Sequence, residues 1–384
     1  MVNSEKFPFI QRVEQVKRLV NSIKEAEGAV EKKKKEEVLW LGRILLQAFW
    51  NVFELNSHLE DLKLNDKWRK ELVKRVPLKP TFFSTSMRFL RKEMGLRKAF
   101  VSEAMAFVAY IFDEHVDNSF DDKVKKGVFF EEVEAARNEF KEGKWSYFYK
   151  KMDAIVEAVF EEEEEEAKSK GEGGAYVLLR EYVLYLKERG VVKGEAKKIL
   201  RTLGDVLTGE VMIDMDSSLS GKRPEKLGSF WGNIPKEGDL RIYLAVMNPG
   251  VVMVGWQHAV EAEPSLKVEV DEKKLRLAKI ASFLVRLSDD WGDREEDAEK
   301  MSFNLLSVEL GGEFWGWLGG NYQELLNEIK ESKSGSEVKG KLLEELRKLA
   351  KGVDDIWSKE VIKIAYVAIG VGTEENDTRL QVSK

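Results

Sequence analysis

The chain reads as an all-α protein. Apolar residues recur at helical spacing in nearly every segment, no two-residue alternation is long enough for a strand, and 384 positions hold only seven prolines. Segments 4–27, 33–57 and 65–76 carry apolar stripes between Lys/Glu faces, the pattern of amphipathic helices. Pro77 and Pro80 interrupt it before a helix through Met87 and Met94. The stretch 97–118 contains Ala104-Met105-Ala106-Phe107-Val108-Ala109-Tyr110-Ile111-Phe112 and is apolar nearly all round, so a central helix is predicted. The run Glu161–Glu166, followed by a Gly-rich link to Gly174, reads as a solvated helix end and loop. Helices resume over 175–191 and 194–216, with breaks at 217–224 and at Asn248-Pro249-Gly250. Proline removes a helical hydrogen bond, so Pro249 is expected to split 239–262 into two halves. An apolar helix at 272–290 follows, then helices at 301–310, 313–331, 336–351 and 354–369, then a Gly/Asp/Thr-containing tail.

Composition narrows the function classes. A chain that is 43% hydrophobic and 10% aromatic can build a large core. Its net charge of -6 speaks against a nucleic-acid partner, because a phosphate backbone demands a basic face. There is no cysteine, hence no disulfide framework and no thiolate chemistry. Three isolated histidines, His58, His115 and His258, do not make a zinc site. The first thirty residues have neither the apolar core of a signal peptide nor the Arg/Ser-rich character of a transit peptide. The longest apolar runs are too short to span a bilayer. The expectation is a soluble, cytoplasmic protein, with a plastid address if a transit peptide has been removed, acting as a monomer or homodimer.

Two acidic clusters carry the chemistry. Asp289, Asp293 and Asp297 are spaced by four, so a helix stacks them on one face. Like charges at that spacing cost about 0.2–0.5 kcal/mol per pair, which a cation placed against them would offset. Asp113 and Asp117 repeat the spacing within Asp113-Glu114-His115-Val116-Asp117. Both clusters follow strongly apolar stretches, which puts them at the ends of buried helices. Facing one another, the two walls would suit a diphosphate bound through Mg²⁺, a hard ion that takes oxygen ligands and shares them with substrate phosphates. Arg286 lies three residues before Asp289 and Lys300 three beyond Asp297. Phe107, Phe112, Trp231, Trp256, Phe283 and Trp291 supply aromatic faces, which stabilise cations through their quadrupoles. The competing interpretation is that the carboxylates are surface charge and the aromatics core.

The motifs resemble those of class I terpene synthases. Asp113-Glu114-His115-Val116-Asp117 is similar to that family's aspartate-rich DDxxD motif, with Glu114 at the second position. Asp289-Asp290-Trp291-Gly292-Asp293-Arg294-Glu295-Glu296-Asp297 resembles its second metal motif, (N/D)Dxx(S/T/G)xxxE, and Arg286-Leu287 reproduces the RLxDD context. Lys300 and the run Asn304-Leu305-Leu306-Ser307-Val308-Glu309 resemble the basic residue and N-S-I-E-C-like run of plant members. Ala365 to Gly372, with Thr378-Arg379, resembles the glycine-containing loop that caps the active site between the last two helices. The resemblance covers residues 80–384 in order. It implies a class I terpenoid synthase-like helical bundle around a deep apolar pocket, one catalytic domain over 61–384 with the helices of 1–60 packed on it. It further implies three Mg²⁺ ions, replaceable by Mn²⁺. Asp113, Glu114 and Asp117 would hold ions on one wall and Asp289, Asp293 and Asp297 on the other. Arg286, Lys300, Arg241 and Arg379 would contact diphosphate. Phe107, Phe112, Trp231, Asn248, Gly250, Trp256, Phe283 and Tyr366 would line the pocket. The implied reaction is ionisation and cyclisation of farnesyl or geranylgeranyl diphosphate to a terpene plus diphosphate.

The sequence departs from the family in three ways. Asp293 stands where Ser, Thr or Gly is usual, and Asp297, one methylene shorter, stands for Glu. The basic pair upstream of the first motif has only Arg75 and Lys79 as candidates, and the motifs are spaced more widely, with 161–174 as the insertion. No DxDD-like motif for protonation-initiated cyclisation is present; Asp214-Met215-Asp216 is too short. A prenyl-elongating synthase is the enzymatic alternative, disfavoured because such enzymes carry two similar DDxxD motifs. A non-catalytic helical scaffold is the other.

Overall fold

A computed structural model describes residues 101–102, 104–117, 128–161, 174–214, 247, 249–300 and 303–382. The predicted helices before residue 100, the break at 217–224, and Trp231, Arg241 and Asn248 lie outside the described residues. Among the described residues there are eleven α-helices, one 3-10 turn and no strand. The helices are α1 (Ala104–Asp117), α2 (Phe130–Lys141), α3 (Tyr147–Phe160), α4 (Ala175–Glu188), α5 (Lys193–Asp214), α6 (Pro249–Ala262), α7 (Glu272–Lys300), α8 (Gly312–Leu318), α9 (Gln323–Glu331), α10 (Gly335–Ala350) and α11 (Ile356–Val382).

Burial follows the apolar pattern of the sequence. On α1, Ala104 to Val108, Ile111, Phe112 and Val116 are all buried, as its near-continuous apolar run predicts. This helix packs against α4, α5 and α6. Around it, α5 is the hub of the first half, touching α1, α2, α3, α4 and α6. Gly204 on α5 permits the close approach of α3, because a Cβ there would stand 2.9 Å from the Tyr149 ring. Tyr149 uses that approach to donate a 2.7 Å hydrogen bond to buried Asp205. Arg201 closes the same interface with a two-pronged bond to Asp153, at 2.9 and 2.6 Å.

In the second half, α11 packs against α6, α7 and α10. Gly255 of α6 meets α11 backbone to backbone: an added Cβ would lie 2.9 Å from the Val361 Cα. The indoles of Trp256 and Trp357 meet edge to face beside this crossing, centroids 6.1 Å apart. Two carbonyls receive side-chain bonds that join the halves. Gln257 donates to the Ser102 carbonyl, and Arg189 donates to the Glu261 carbonyl at 2.6 Å. No described helix is long and apolar enough to cross a membrane.

Four expectations require correction. The segment predicted as one helix over 313–331 is two, because Gly319 ends α8 in the left-handed region at φ 84°. The helix predicted at 301–310 is, in its described part, extended chain around a single 3-10 turn, Leu305–Ser307. The cause is Asn304, extended at φ -140° and ψ 124°, whose side chain caps the turn. Third, α7 does not end at 290 but runs to Lys300, so the second acidic cluster lies within the helix. Fourth, residues 370–379, expected as a capping loop, belong to α11, which continues to Val382; the segment holds glycines but no proline to break it. The split of 239–262 expected at Pro249 falls largely outside the described residues, among which Met247 and Pro249–Ala262 are helical.

Candidate functional site

The site is built on the C-terminal half of α7. Leu284, Leu287 and Trp291 are buried along one side and hold the helix to the body, and the Ser288 hydroxyl donates to the Ile369 carbonyl of α11 at 3.3 Å. That anchoring fixes the azimuth of the carboxylates. Asp289 is exposed, Asp293 and Asp297 are half-buried, and Asp290 is 1% exposed. The ladder therefore holds two kinds of acid: Asp289, Asp293 and Asp297 reach solvent, while Asp290 points to the interior.

Asp290 is held by two direct contacts. The Arg286 Nε lies 2.7 Å from its Oδ1, one helical turn back, and the Leu305 amide donates to its Oδ2 at 2.6 Å. Arg286 reaches Asp289 more loosely, at 3.7 Å. Burial pushes the Asp290 carboxyl up to about 7, against the pull of Arg286 and the Leu305 amide, with Asp289 and Asp297 adding to the rise. Burial likewise opposes the charge on Arg286. Asp290, Asp289, Glu210 of α5 and Asp297 outweigh it and make the guanidinium more basic than usual.

The segment after α7 folds back over this cluster. The Asn304 carboxamide donates to the Asp290 carbonyl at 2.7 Å and to the Asp297 Oδ2 at 2.8 Å. Its Oδ1 accepts the Leu306 amide at 3.0 Å, and the Ser307 hydroxyl donates to the Asn304 carbonyl at 2.7 Å. Arg294, the next cation along α7, stacks 4.1 Å over the Trp291 ring and donates to the Trp291 carbonyl at 2.5 Å.

On the other predicted wall, Asp113 is half-buried on α1, and Asp117 is the last described residue of that helix. Both α1 and α7 pack against α6. The backbone places Glu114, Asp117, Lys300 and Arg379 on their helices, but their side chains lie outside what the structure describes. His115 is buried, 6.4 Å edge-on from Phe129. Among the predicted pocket residues, Phe112 is fully buried against Phe129 and Phe148, and Phe283 against Phe314, Trp315 and Tyr322. Phe107 and Tyr366 are also buried, and Gly250 is half-buried on α6. Among the described residues, no three carboxylate or imidazole groups come together as a ready-made metal cage.

Sequence reasoning quoted Asp290 and Asn304 within motifs but gave them no role, and it passed over Glu210. A signal for Asp290 was present: it follows Arg286 by four, the spacing of a helical ion pair, and lies three after Leu287 on the buried side. Asn304 opens the run that resembles the plant members' motif, whereas Glu210 acts from another helix and has no local signature. Comparison with protein-family models, with curated proteins and with solved structures finds no match to this chain.

Proposed function

We propose that the chain is a magnesium-dependent terpene synthase, ionising and cyclising farnesyl or geranylgeranyl diphosphate to a terpene hydrocarbon or alcohol plus diphosphate. The observation that carries this reading is the division of labour on α7. One continuous helix presents Asp289, Asp293 and Asp297 outward at one-turn intervals, while Asp290 between them is spent on Arg286. The donor set suits Mg²⁺, being hard carboxylate oxygen within reach of solvent. Magnesium takes only one or two carboxylates with waters and substrate phosphates, so it does not need a closed protein cage.

Bound Mg²⁺ would supply the positive charge that lets diphosphate leave as an anion. Asp289, Asp293 and Asp297 would hold the ion on α7, and Asp113 and Asp117 those on α1. Arg286, tied to Asp290 at 2.7 Å, acts on this reading as an internal brace; diphosphate contact falls to Lys300, Arg241 and Arg379. Aromatic faces, with Trp256 and Phe283 in the body, would steady the cation formed and keep water from it.

A scaffold reading has an observation in its favour: Arg286 and Asp297 both have partners inside the protein. Incubating the purified chain with Mg²⁺ and geranyl, farnesyl and geranylgeranyl diphosphates separates the two. The synthase releases diphosphate and an extractable terpene, and loses both with Asp113→Ala or Asp117→Ala at unchanged helical CD. A longer diphosphate product would mean an elongating synthase. Absence of any Mg²⁺-dependent turnover would leave the scaffold.

A further inference from the structure

Asn304 is 5% exposed and commits its whole carboxamide. The amide nitrogen carries two N–H donors, and it has two acceptors: the Asp290 carbonyl at 2.7 Å and the Asp297 Oδ2 at 2.8 Å. The amide oxygen takes the Leu306 N–H at 3.0 Å. Exchanging oxygen and nitrogen would set an oxygen against a carbonyl and a carboxylate, and an NH₂ against an N–H. The group therefore has a single orientation, and that orientation aims a donor at Asp297. Its own placement is secured by Asp290, whose Oδ2 accepts the adjacent Leu305 amide at 2.6 Å.

A carboxylate has about four lone-pair sites, so one N–H donor does not by itself fill it, and it removes rotational freedom. Carboxylates that ligate metals are themselves usually hydrogen-bonded, and losing such outer partners costs about 10–100-fold in metal affinity. We propose that Asn304 is a positioning residue that fixes the Asp297 carboxylate for metal binding from outside the acidic motif. This rests on the magnesium reading above. It explains how the Asp at this position, shorter than Glu by one methylene, is held in a defined place.

Mn²⁺ binding in the presence of inorganic diphosphate, followed by calorimetry, tests the proposal on four proteins. These are the wild type, Asn304→Ala, Asp297→Asn and the double variant. We expect Asn304→Ala to weaken Mn²⁺ about 10–100-fold, and to add nothing in the Asp297→Asn background. An equal loss in both backgrounds would mean a structural role and overturn the proposal, as would no loss from Asn304→Ala alone. Should Asn304→Ala disturb folding, Asn304→Ser serves in its place. It keeps a cap for the 3-10 turn but cannot reach Asp297, so the Leu306 amide stays protected from exchange while Mn²⁺ affinity falls. A wild type that binds no Mn²⁺ would sink the magnesium reading, and this inference with it. Binding by the wild type with unchanged binding by the variants would sink this inference alone.

Discussion

Asp289 and Asp290 are sequence neighbours in opposite environments, and substituting each by alanine should give opposite results. Asp290 is 1% exposed, 2.7 Å from the Arg286 guanidinium and 2.6 Å from the Leu305 amide. Removing its carboxylate leaves a half-buried cation without its nearest counter-charge and a buried N–H without an acceptor. Breaking a buried pair from one side costs about 3–5 kcal/mol, and the orphaned amide falls within that range rather than adding to it in full. Asp289 is exposed and its contact with Arg286 is 3.7 Å, so its removal should change stability by less than about 0.5 kcal/mol. Relief of like-charge repulsion along the ladder offsets part of that small loss. Urea unfolding followed by far-UV CD measures both. Equal losses, or a loss below about 1 kcal/mol for Asp290→Ala, would refute the assignment of Asp290 as the structural acid. In a Mg²⁺-binding assay the order should invert, with Asp289→Ala the more damaging per unit of stability lost.

Further outcomes follow from the packing and the buried charges. Burial alone would raise the Glu360 carboxyl, but His258 and Lys363 outweigh it and hold it at about 2, below its ordinary 4.5. Its contribution is thus complete above pH 4.5 and lost as pH falls toward about 2. That shift bounds the contribution at roughly 3 kcal/mol, so the stability gap between wild type and Glu360→Gln should close on acidification, as thermal melts at successive pH values would reveal. Gly255→Ala drives a Cβ to 2.9 Å from the Val361 Cα, so α6 and α11 must separate. Overpacking of this kind costs about 1–3 kcal/mol, and an unchanged melting temperature would show that the crossing is looser than described. Gly250→Ala, on helical backbone where no left-handed angle is needed, should alter product ratio or rate more than stability if that part of α6 meets substrate.

Much of the helical frame was legible because apolar spacing is a strong, local signal. The helices predicted over 175–191 and 194–216 appear as Ala175–Glu188 and Lys193–Asp214. The central, all-round apolar helix is α1. The corrections come where a few polar atoms overrule periodicity. At Asn304 a side chain caps the chain against helix, and the Leu305 amide is drawn to Asp290, fifteen positions earlier in the chain, where a helix would pair it with residue 301. At Gly319 one left-handed residue divides an apolar stretch that reads as continuous. The acidic ladder itself was visible from spacing alone. The split between outward Asp289 and inward Asp290 was signalled only indirectly, by the spacing of Asp290 from Arg286 and Leu287, since it depends on how α7 is rotated against α11, a tertiary quantity. Likewise Glu210 joins the field around Arg286 from another helix, and no pattern within α7 announces it.

The charge arrangement on α7 has a consequence for how a diphosphate could approach. Arg286 is committed to Asp290, and Arg294 to the ring and carbonyl of Trp291. The nearest partners of both guanidiniums thus lie off the ladder, Arg286 reaching Asp289 only at 3.7 Å, while three carboxylates follow one another at one-turn intervals along the helix. A phosphate charge about 8 Å from one carboxylate is repelled by roughly 2 kcal/mol at an effective dielectric near 20, and three carboxylates multiply the penalty. The metal-free protein should accordingly bind inorganic diphosphate at least 100-fold more weakly than the Mg²⁺-supplemented protein, and Asp293→Ser should narrow that gap by removing one repelling charge. Calorimetric titration of diphosphate with EDTA and with Mg²⁺ measures both quantities. Tight binding in EDTA would mean that cations outside the described side chains dominate the site, and the ladder would then be facing something other than diphosphate.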